Sequence, residues 1–251
     1  MIDPKLADYR GKYTCATLNR SPQGVLEVTL HTNGSDLVWS FDVHHEMGYL
    51  FEDIGRDPDN KVIILTGTGS TFIANTDLPR PDSSPDFLVR LLYDAKRLIM
   101  SHLDIEVPMI AAINGPATVH AELALLCDIV LASDDVVFQD APHFTSGRLP
   151  ADGSHVVWQE LLGPNRGRYF MLTGEKIAAP EAHRLGIVGE VRSRDELLPR
   201  ARELALMILE RPEMVVRYSR TALVQHYKQA MVDNLGYGLA LSVIGGRSEG
   251  K

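Results

Sequence analysis

Three side chains in the stretch between Val107 and Trp158 are candidates for acid–base chemistry, namely His120, His143 and Asp152. A histidine fixed by a carboxylate can take a proton from water near neutral pH, and a second histidine can donate to an oxygen that gains negative charge. These residue types therefore permit activation of water beside an oxyanion donor. They also fit a structural alternative, since His and Asp in a polar loop often cap turns and a histidine at a helix start is often a satisfied core residue.

Around these residues the sequence predicts short buried strands. Apolar runs bounded by glycine and proline are typical of strands covered on both faces. Tyr13–Leu18 and Val25–His31 alternate in polarity and flank Ser21-Pro22-Gln23-Gly24, which predicts a β-hairpin. The buried strands are expected at Val62–Thr66, Met109–Ile113, Asp128–Ala132, Val136–Phe138 and Ile187–Val191.

Apolar residues at three- and four-residue steps predict helices between and after these strands. Residues 1–12 are expected to form a polar arm, and Thr71–Asp86 a long loop that covers or lines a site. Two strands per helix differ from simple βαβ winding, in which strands and helices alternate one to one. The helices are expected in the later part of Asp36–Gly55 and over Phe87–Leu103, from the Asn114-Gly115-Pro116 turn through Cys127, and over Val156–Leu162, Arg166–Leu172, Ala179–Leu185, Glu196–Glu210 and Pro212–Leu241.

Composition excludes several classes of protein. The chain has 251 residues, of which 45% are hydrophobic and 23% charged, as in an ordinary globular protein. A net charge of -8 argues against nucleic acid or an anionic membrane as the main partner. Cys15 and Cys127 lie far apart, neither at metal-ligand spacing, and no targeting segment or membrane-spanning run is visible. We therefore expect a soluble cytoplasmic protein without a metal.

Five segments resemble, in the same order, the crotonase (enoyl-CoA hydratase/isomerase) superfamily. The resemblance implies an α/β fold in which ββα turns form a spiral core with the active site over residues 1–195. A C-terminal helical region over residues 196–251 would build a trimer, often doubled to a hexamer. The segments are VIILTGTGSTFIANTDL (Val62–Leu78), VPMIAAINGPATVHAELALLCDIVLAS (Val107–Ser133), VVFQDAP (Val136–Pro142), LTGEKIAAPEAHRLGIVGEV (Leu172–Val191) and the helical tail.

Within the superfamily the sequence is most similar to the 6-oxocamphor hydrolase group of bacterial β-diketone hydrolases. By matching positions, the resemblance implies that His143 and Asp152 form a catalytic dyad. It also implies that His120 and Trp39 donate hydrogen bonds to substrate carbonyl groups, although Trp39 is equally well explained as a core anchor. The shared sequence segments include LVW, NKVIILTGTG, FQD-PHF-SG, DG-HVVW and RGRYF-LTG.

Other positions match less simply. His44 aligns with a further active-site histidine of that group, and His45 beside it competes for the same position. Glu122 matches the first catalytic glutamate of the hydratases, but His143 replaces the second, so we expect no catalytic role for Glu122. The C-terminal glutamate of the diketone hydrolases falls on Ser242. The turn after Asn114 lacks the glycine run whose backbone N–H binds a thioester oxygen in the hydratases.

The resemblance thus implies a cofactor-independent hydrolase that cleaves a carbon–carbon bond of a cyclic β-diketone. In this retro-Claisen reaction activated water attacks one carbonyl and an enolate leaves. The expected partners are a small-molecule diketone and further copies of the chain. Two alternatives stay open: an enoyl-CoA hydratase, isomerase or acyl-CoA thioester hydrolase of the same fold, and a non-catalytic oligomeric scaffold.

Overall fold

A computed structural model describes residues 3–79 and 84–246 of the protein. Its main sheet contains β1 (Ala16–Arg20), β2 (Val25–Leu30), β4 (Val62–Gly67), β6 (Met109–Ile113), β7 (Ile129–Ser133) and β10 (Glu190–Arg192). These six strands lie in that spatial order. The β1–β2 pair is the predicted antiparallel hairpin, and every later pair is parallel.

Shorter strands form a second layer. They are β3 (Val38–Trp39) paired with β5 (Asn75–Thr76), and β8 (Val137–Phe138) paired with β9 (Ile177–Ala178). Isolated bridges from Ala117 to Ile73 and to Phe138 connect the two pairs. The chain therefore passes repeatedly from a long strand to a short strand and then to a helix, and this α/β arrangement confirms the predicted spiral of ββα turns.

Ten α-helices and one short 3₁₀ segment are present in the described part of the chain. Most predicted helices are confirmed within a few residues of their expected ends. The helices are α1 (Leu6–Tyr9), α2 (Phe41–Arg56), α3 (Pro85–Asp104), α4 (Glu122–Leu125), α5 (Ser154–Leu162), α6 (Pro164–Thr173), α7 (Ala179–Arg184), α8 (Arg194–Leu209), α9 (Glu213–Leu223) and α10 (Gln225–Gly246), and the 3₁₀ segment is Phe144–Ser146.

The two faces of the main sheet bury different helices. Alternate residues of a strand point to opposite faces, so Ile63 and Leu65 face one side and Ile64 the other. Helices α2 and α3 cover the first face, and α8 covers the second through Leu197 and Ala201. The α8 helix, placed by the sequence in a C-terminal region over residues 196–251, thus packs directly on the sheet.

Three sequence predictions were wrong in detail. Residues 3–12 are not a free polar arm, because α1 buries Tyr9, whose hydroxyl donates to the Asp57 carboxylate at 2.8 Å. The helix expected from the Asn114-Gly115-Pro116 turn through Cys127 is confined to Glu122–Leu125. The helix predicted over Pro212–Leu241 is divided near Val224 into α9 and α10.

The loop predicted over Thr71–Asp86 contains β5 and gives way to α3 at Pro85. Residues 80–83 of that loop lie outside the described residues. Among the helices of the described residues, none is both long and apolar enough to cross a membrane.

Candidate active site

Three aromatic rings meet beneath the short strands. Trp39 ends β3, and its indole lies against the imidazole of His120 with ring centroids 4.0 Å apart and planes tilted by 33°. His44, in the first turns of α2, approaches the edge of Trp39 at 5.8 Å and the ring of His120 at 5.9 Å. All three side chains are buried. The structure therefore brings together the two predicted carbonyl donors, His120 and Trp39, and the further predicted site residue His44.

The neighbouring histidines of α2 are distinguished by this geometry. His44 faces the cluster, and burial lowers its pKa to about 4 in spite of the attraction of Asp152, so it is neutral at pH 7. His45 points away and bonds through Nδ1 to Asp94 at 2.9 Å. His44, and not His45, is therefore the histidine of α2 that can act at the site.

His120 is held in place by its backbone and by Glu122. Its φ of 45° lies in the left-handed region that residues other than glycine rarely adopt. Its Nδ1 atom lies 2.5 Å from Oε1 of Glu122, and both side chains are buried. Because one ring nitrogen is bound to the carboxylate, only Nε2 is left to face a ligand. Sequence reasoning had assigned Glu122 no catalytic role, and the structure shows that it contacts a predicted site residue.

The turn that precedes α4 uses two of its backbone donors within the protein. The backbone N–H groups of Thr118 and Val119 both donate to the carbonyl of Ile73, at 2.9 and 3.1 Å. An N–H already bound inside the protein cannot polarise a substrate carbonyl without breaking that bond. The turn therefore lacks the glycine run of the hydratases, and two of its N–H groups are already bound to another part of the protein.

His143 lies just before the 3₁₀ segment. Its Nδ1 atom is 2.6 Å from Oδ1 of Asp140, and both residues are buried. Its Nε2 atom is 3.7 Å from Oδ2 of Asp152, a distance longer than a direct hydrogen bond. The structure therefore places the predicted dyad residues side by side, but the carboxylate that contacts His143 most closely is Asp140, which sequence reasoning missed.

Asp152 is the carboxylate shared by the three histidines. Its side chain is 26% exposed, and it has electrostatic interactions with His143, His120 and His44. Asp152 and the following Gly153 have φ values of 53° and 88° and lead directly into α5. Left-handed residues other than glycine are costly and often lie at functional sites. The other non-glycine residues with a left-handed backbone in the described part of the chain are Asn33, in the turn after β2, and His120.

The charges of this pair follow from its surroundings. Burial acts to lower the pKa of His143, but the hydrogen bond to Asp140 and the nearby Asp152 carboxylate raise it to about 10. Burial acts to raise the pKa of Asp152, but His143, with His120 and His44, holds it well below its ordinary value. At pH 7 the site therefore contains an imidazolium at His143 and a carboxylate at Asp152.

Ser242, the position aligned with a family glutamate, lies on α10 and is partly buried. Within the described residues, no hydrogen bond joins its hydroxyl to the histidine cluster. The same part of the chain holds no group of three or more His, Cys, Asp or Glu side chains arranged to bind a metal ion.

The family model for enoyl-CoA hydratase/isomerase matches residues 20–240, which is most of the chain. The chain belongs to this family. Among curated proteins the chain is similar to a carnitinyl-CoA dehydratase of Shigella flexneri, with 28% identity over a 239-residue alignment that covers 82% of this chain and 87% of the relative. A probable peroxisomal enoyl-CoA hydratase 1 of Arabidopsis thaliana is 34% identical over 174 residues, 68% of this chain and 64% of the relative.

Among solved structures, a β-diketone hydrolase from the cyanobacterium Anabaena sp. PCC 7120 is similar over the full length of both chains. It is 40% identical, with a TM-score of 0.93, and was determined bound to (S)-3-oxocyclohexyl acetic acid. An enoyl-CoA hydratase of Mycobacterium tuberculosis H37Rv is 30% identical, covers 93% of this chain and 96% of its own, and has a TM-score of 0.76. The family and the crotonase fold predicted from the sequence are thereby confirmed.

Proposed function

We propose that this protein is a hydrolase that cleaves a carbon–carbon bond of a cyclic β-diketone with water and without a cofactor. The observation that carries the proposal is the gathering of His143, His120 and His44 around the Asp152 carboxylate. A single site then holds one imidazole, that of His143, which can take a proton from water, and two further imidazoles that can bind a carbonyl oxygen. Of the two glutamates that hydration of a double bond would use, only Glu122 is present, and His143 stands at the second position.

The reaction balances without any further reactant. The oxygen of water bonds to one carbonyl carbon while its proton passes to Nε2 of His143, giving a tetrahedral oxyanion. The bond between this carbon and the carbon shared by the two carbonyl groups then breaks, and its electron pair forms the enolate of the other ketone. His143 returns the proton to that carbon, so one water is consumed and a keto acid is formed.

Proton transfer from water requires the neutral form of His143. Because its pKa is raised to about 10, the neutral form is the minor one at pH 7 and increases about tenfold with each pH unit. We therefore expect kcat/KM for a diketone to rise with pH across the neutral range. The protonated form that follows attack is stabilised by the carboxylates of Asp140 and Asp152, which favours the transition state of the addition step.

In this proposal His120 supplies the donor for the oxyanion. Its Nδ1 atom is bound to Glu122, so Nε2 faces the ligand. Glu122 would thus hold the ring so that Nε2 points to the oxyanion. Trp39 packs against the same ring and would offer its indole N–H to the second carbonyl oxygen.

The ligand of the Anabaena enzyme supports this substrate class. (S)-3-oxocyclohexyl acetic acid contains one ketone and one carboxylate. The ketone is flanked by two ring CH2 groups, one of which lies next to the substituted carbon. If the carboxyl carbon is bonded to the other CH2 carbon with loss of water, the result is a bicyclic 1,3-diketone whose bridgeheads are joined by three two-atom bridges. The acid is therefore the product expected when water cleaves such a diketone. We propose that the present protein accepts bicyclic diketones of similar size.

A panel assay tests the proposal. Purified protein is mixed with monocyclic and bicyclic 1,3-diketones in the presence of a chelator, and the keto acid is quantified by chromatography. We expect turnover that persists with chelator and is lost in the His143→Ala variant. Turnover that His143→Ala leaves unchanged would overturn the role of His143.

The names of the curated relatives favour one alternative, a hydratase or dehydratase that acts on CoA thioesters. The internal use of the Thr118 and Val119 N–H groups argues against it. The same panel therefore includes a short enoyl-CoA. Hydration of that thioester with no turnover of any diketone would establish the alternative and would place Glu122 at the reacting centre.

A further inference from the structure

We infer that Asp140 is the positioning residue of His143, and that it makes Nε2 the nitrogen that exchanges protons with water. The effect of Asp140 on catalysis rests on the proposed function. Its effect on the orientation and the proton of His143 does not. It assigns to Asp140 the orienting task that the sequence resemblance gave to Asp152. Asp152 is left to face the water or substrate on the other side of the ring.

The contacts of the two carboxylates separate their roles. Oδ1 of Asp140 lies 2.6 Å from Nδ1, at hydrogen-bond distance, whereas Oδ2 of Asp152 lies 3.7 Å from Nε2. The second oxygen of Asp140, Oδ2, is buried and accepts no hydrogen bond from the described residues. The charge of Asp140 is therefore directed at the imidazole of His143. Asp152 instead interacts with three histidines and is partly open to solvent.

The backbone around His143 supports the same orientation. The carbonyl of His143 accepts hydrogen bonds from the N–H groups of Ser146 and Arg148 at 2.9 and 3.0 Å, and from the Ser146 hydroxyl at 2.9 Å. Asp140 precedes His143 by three residues, so both ends of the contact belong to one short segment. The ring is thus fixed by its own segment before any ligand binds.

The consequence concerns which nitrogen carries the proton in the neutral ring. With Asp140 bound at Nδ1, the remaining proton stays on Nδ1 and Nε2 keeps its lone pair. Without Asp140, the Asp152 carboxylate near Nε2 would draw the proton to that side. The lone pair would then lie on Nδ1, directed away from the water, and the ring could not act as a base at the reacting centre.

Two substitutions of Asp140 test this assignment. Asp140→Asn keeps an oxygen acceptor for Nδ1–H and removes the charge, while Asp140→Ala removes both. Asp134→Asn is the matched control, since Asp134 is an exposed carboxylate that precedes β8 on the same segment. The ring nitrogens of His143 are followed by ¹⁵N NMR during a pH titration of the full-length chain, and kcat/KM is measured over the same pH range.

We expect the pKa of His143 to fall by about 1–3 pH units in both Asp140 variants, because an opposite charge in contact is removed. The neutral ring should keep its proton on Nδ1 in Asp140→Asn and carry it on Nε2 in Asp140→Ala. The rise of kcat/KM should move to lower pH in Asp140→Asn. Asp140→Ala should lose activity at all pH values by about 10³–10⁴-fold, as when a triad carboxylate no longer fixes the tautomer.

A His143 pKa and tautomer that are unchanged in Asp140→Ala, in a variant that folds as shown by circular dichroism, would overturn the inference. Equal shifts in Asp134→Asn would also overturn it. If neither the native protein nor any variant cleaves a diketone while the NMR shifts occur as stated, the proposed function fails and the positioning role of Asp140 stands. The two failures are therefore distinguishable.

Discussion

At the scale of single residues, the backbone of His120 combines a left-handed conformation with a non-glycine side chain. Such a conformation costs an L-residue about 1–2 kcal/mol and is relieved by glycine. Two of the three non-glycine residues with this conformation among the described residues, His120 and Asp152, lie at the candidate site. Sequence reasoning found both residues from matching positions, but no local sequence signal indicated their strained backbone.

We therefore predict that His120→Gly is more stable than His120→Ala by ~0.5–1 kcal/mol, since strain relief exceeds the extra entropy of an unfolded glycine. The free energy of unfolding in urea measures the difference. The same pair at His44, inside α2, is the control, and there glycine should be the less stable by about 1 kcal/mol. A lower stability of His120→Gly than of His120→Ala would contradict the strain argument.

At the scale of elements, α9 is fastened to the end of α3 and to β7 by one buried cation. Arg220 is 1% exposed, donates to the carbonyl of Ile105 at 2.8 Å, and forms an ion pair with Asp128 at 2.6 Å. Asp128 also accepts from the N–H of Met109 at 2.7 Å, at the start of β6. The guanidinium is fully buried and the Asp128 side chain is 15% exposed, and removal of one partner alone from such a largely buried ion pair is strongly destabilising.

We predict that Arg220→Ala lowers the free energy of unfolding by about 3–5 kcal/mol. Arg217→Ala is the control on the same helix, because Arg217 pairs with the exposed Glu106 at the surface and such pairs contribute ~1 kcal/mol or less. Chemical denaturation of the three proteins gives the comparison. A loss in Arg220→Ala no larger than that in Arg217→Ala would show that the buried pair does not hold α9.

The strands and helices also show which parts of the fold can be predicted from the sequence. The strands of the main sheet were predictable because Val62–Thr66 and Met109–Ile113 are short apolar runs ended by glycine or asparagine. The two-residue strands β5 and β9 were not, because two residues carry no periodicity. The burial of Tyr9 was not predictable, because its hydroxyl binds Asp57, which is distant in sequence.

The site was predictable in part for a similar reason. His143 and Asp152 lie in one loop that matches a family pattern, so their proximity could be inferred. Asp140 stands in the same loop, three residues before His143, but a ring nitrogen chooses its partner by distances that only the folded chain defines. The direction of His44 relative to His45 likewise needed the helix to be placed.

At the scale of the whole molecule, the C-terminal helices leave large apolar side chains in solvent. We propose that these side chains form the contact between copies of the chain, as a trimer or a dimer of trimers, because several of them are each more than half exposed on two successive helices and exposed apolar patches mark interaction sites. The most exposed residues on α9 and α10 include Met214, Val215, Tyr218, Leu223, Val232 and Tyr237.

We predict a mass of three or six chains in light scattering after size-exclusion chromatography. Leu223→Glu combined with Tyr237→Glu should reduce the mass to that of a single chain, since both residues are 71% exposed in the isolated chain and would place charges in the interface. Gln23→Glu, in the exposed β1–β2 turn, is the control and should leave the mass unchanged. A native protein that elutes as a monomer would contradict the proposed contact.

We propose above all that this enoyl-CoA hydratase/isomerase family member adds water across a carbon–carbon bond of a diketone at His143. The most direct measurement is hydrolysis of a bicyclic 1,3-diketone in oxygen-18-labelled water, with the product analysed by mass spectrometry. We predict a keto acid that carries one labelled oxygen in its new carboxylate, formed by the native protein and lost in His143→Ala. Recovery of intact diketone, with no keto acid formed by the native protein at any pH at which it stays folded, would contradict the account.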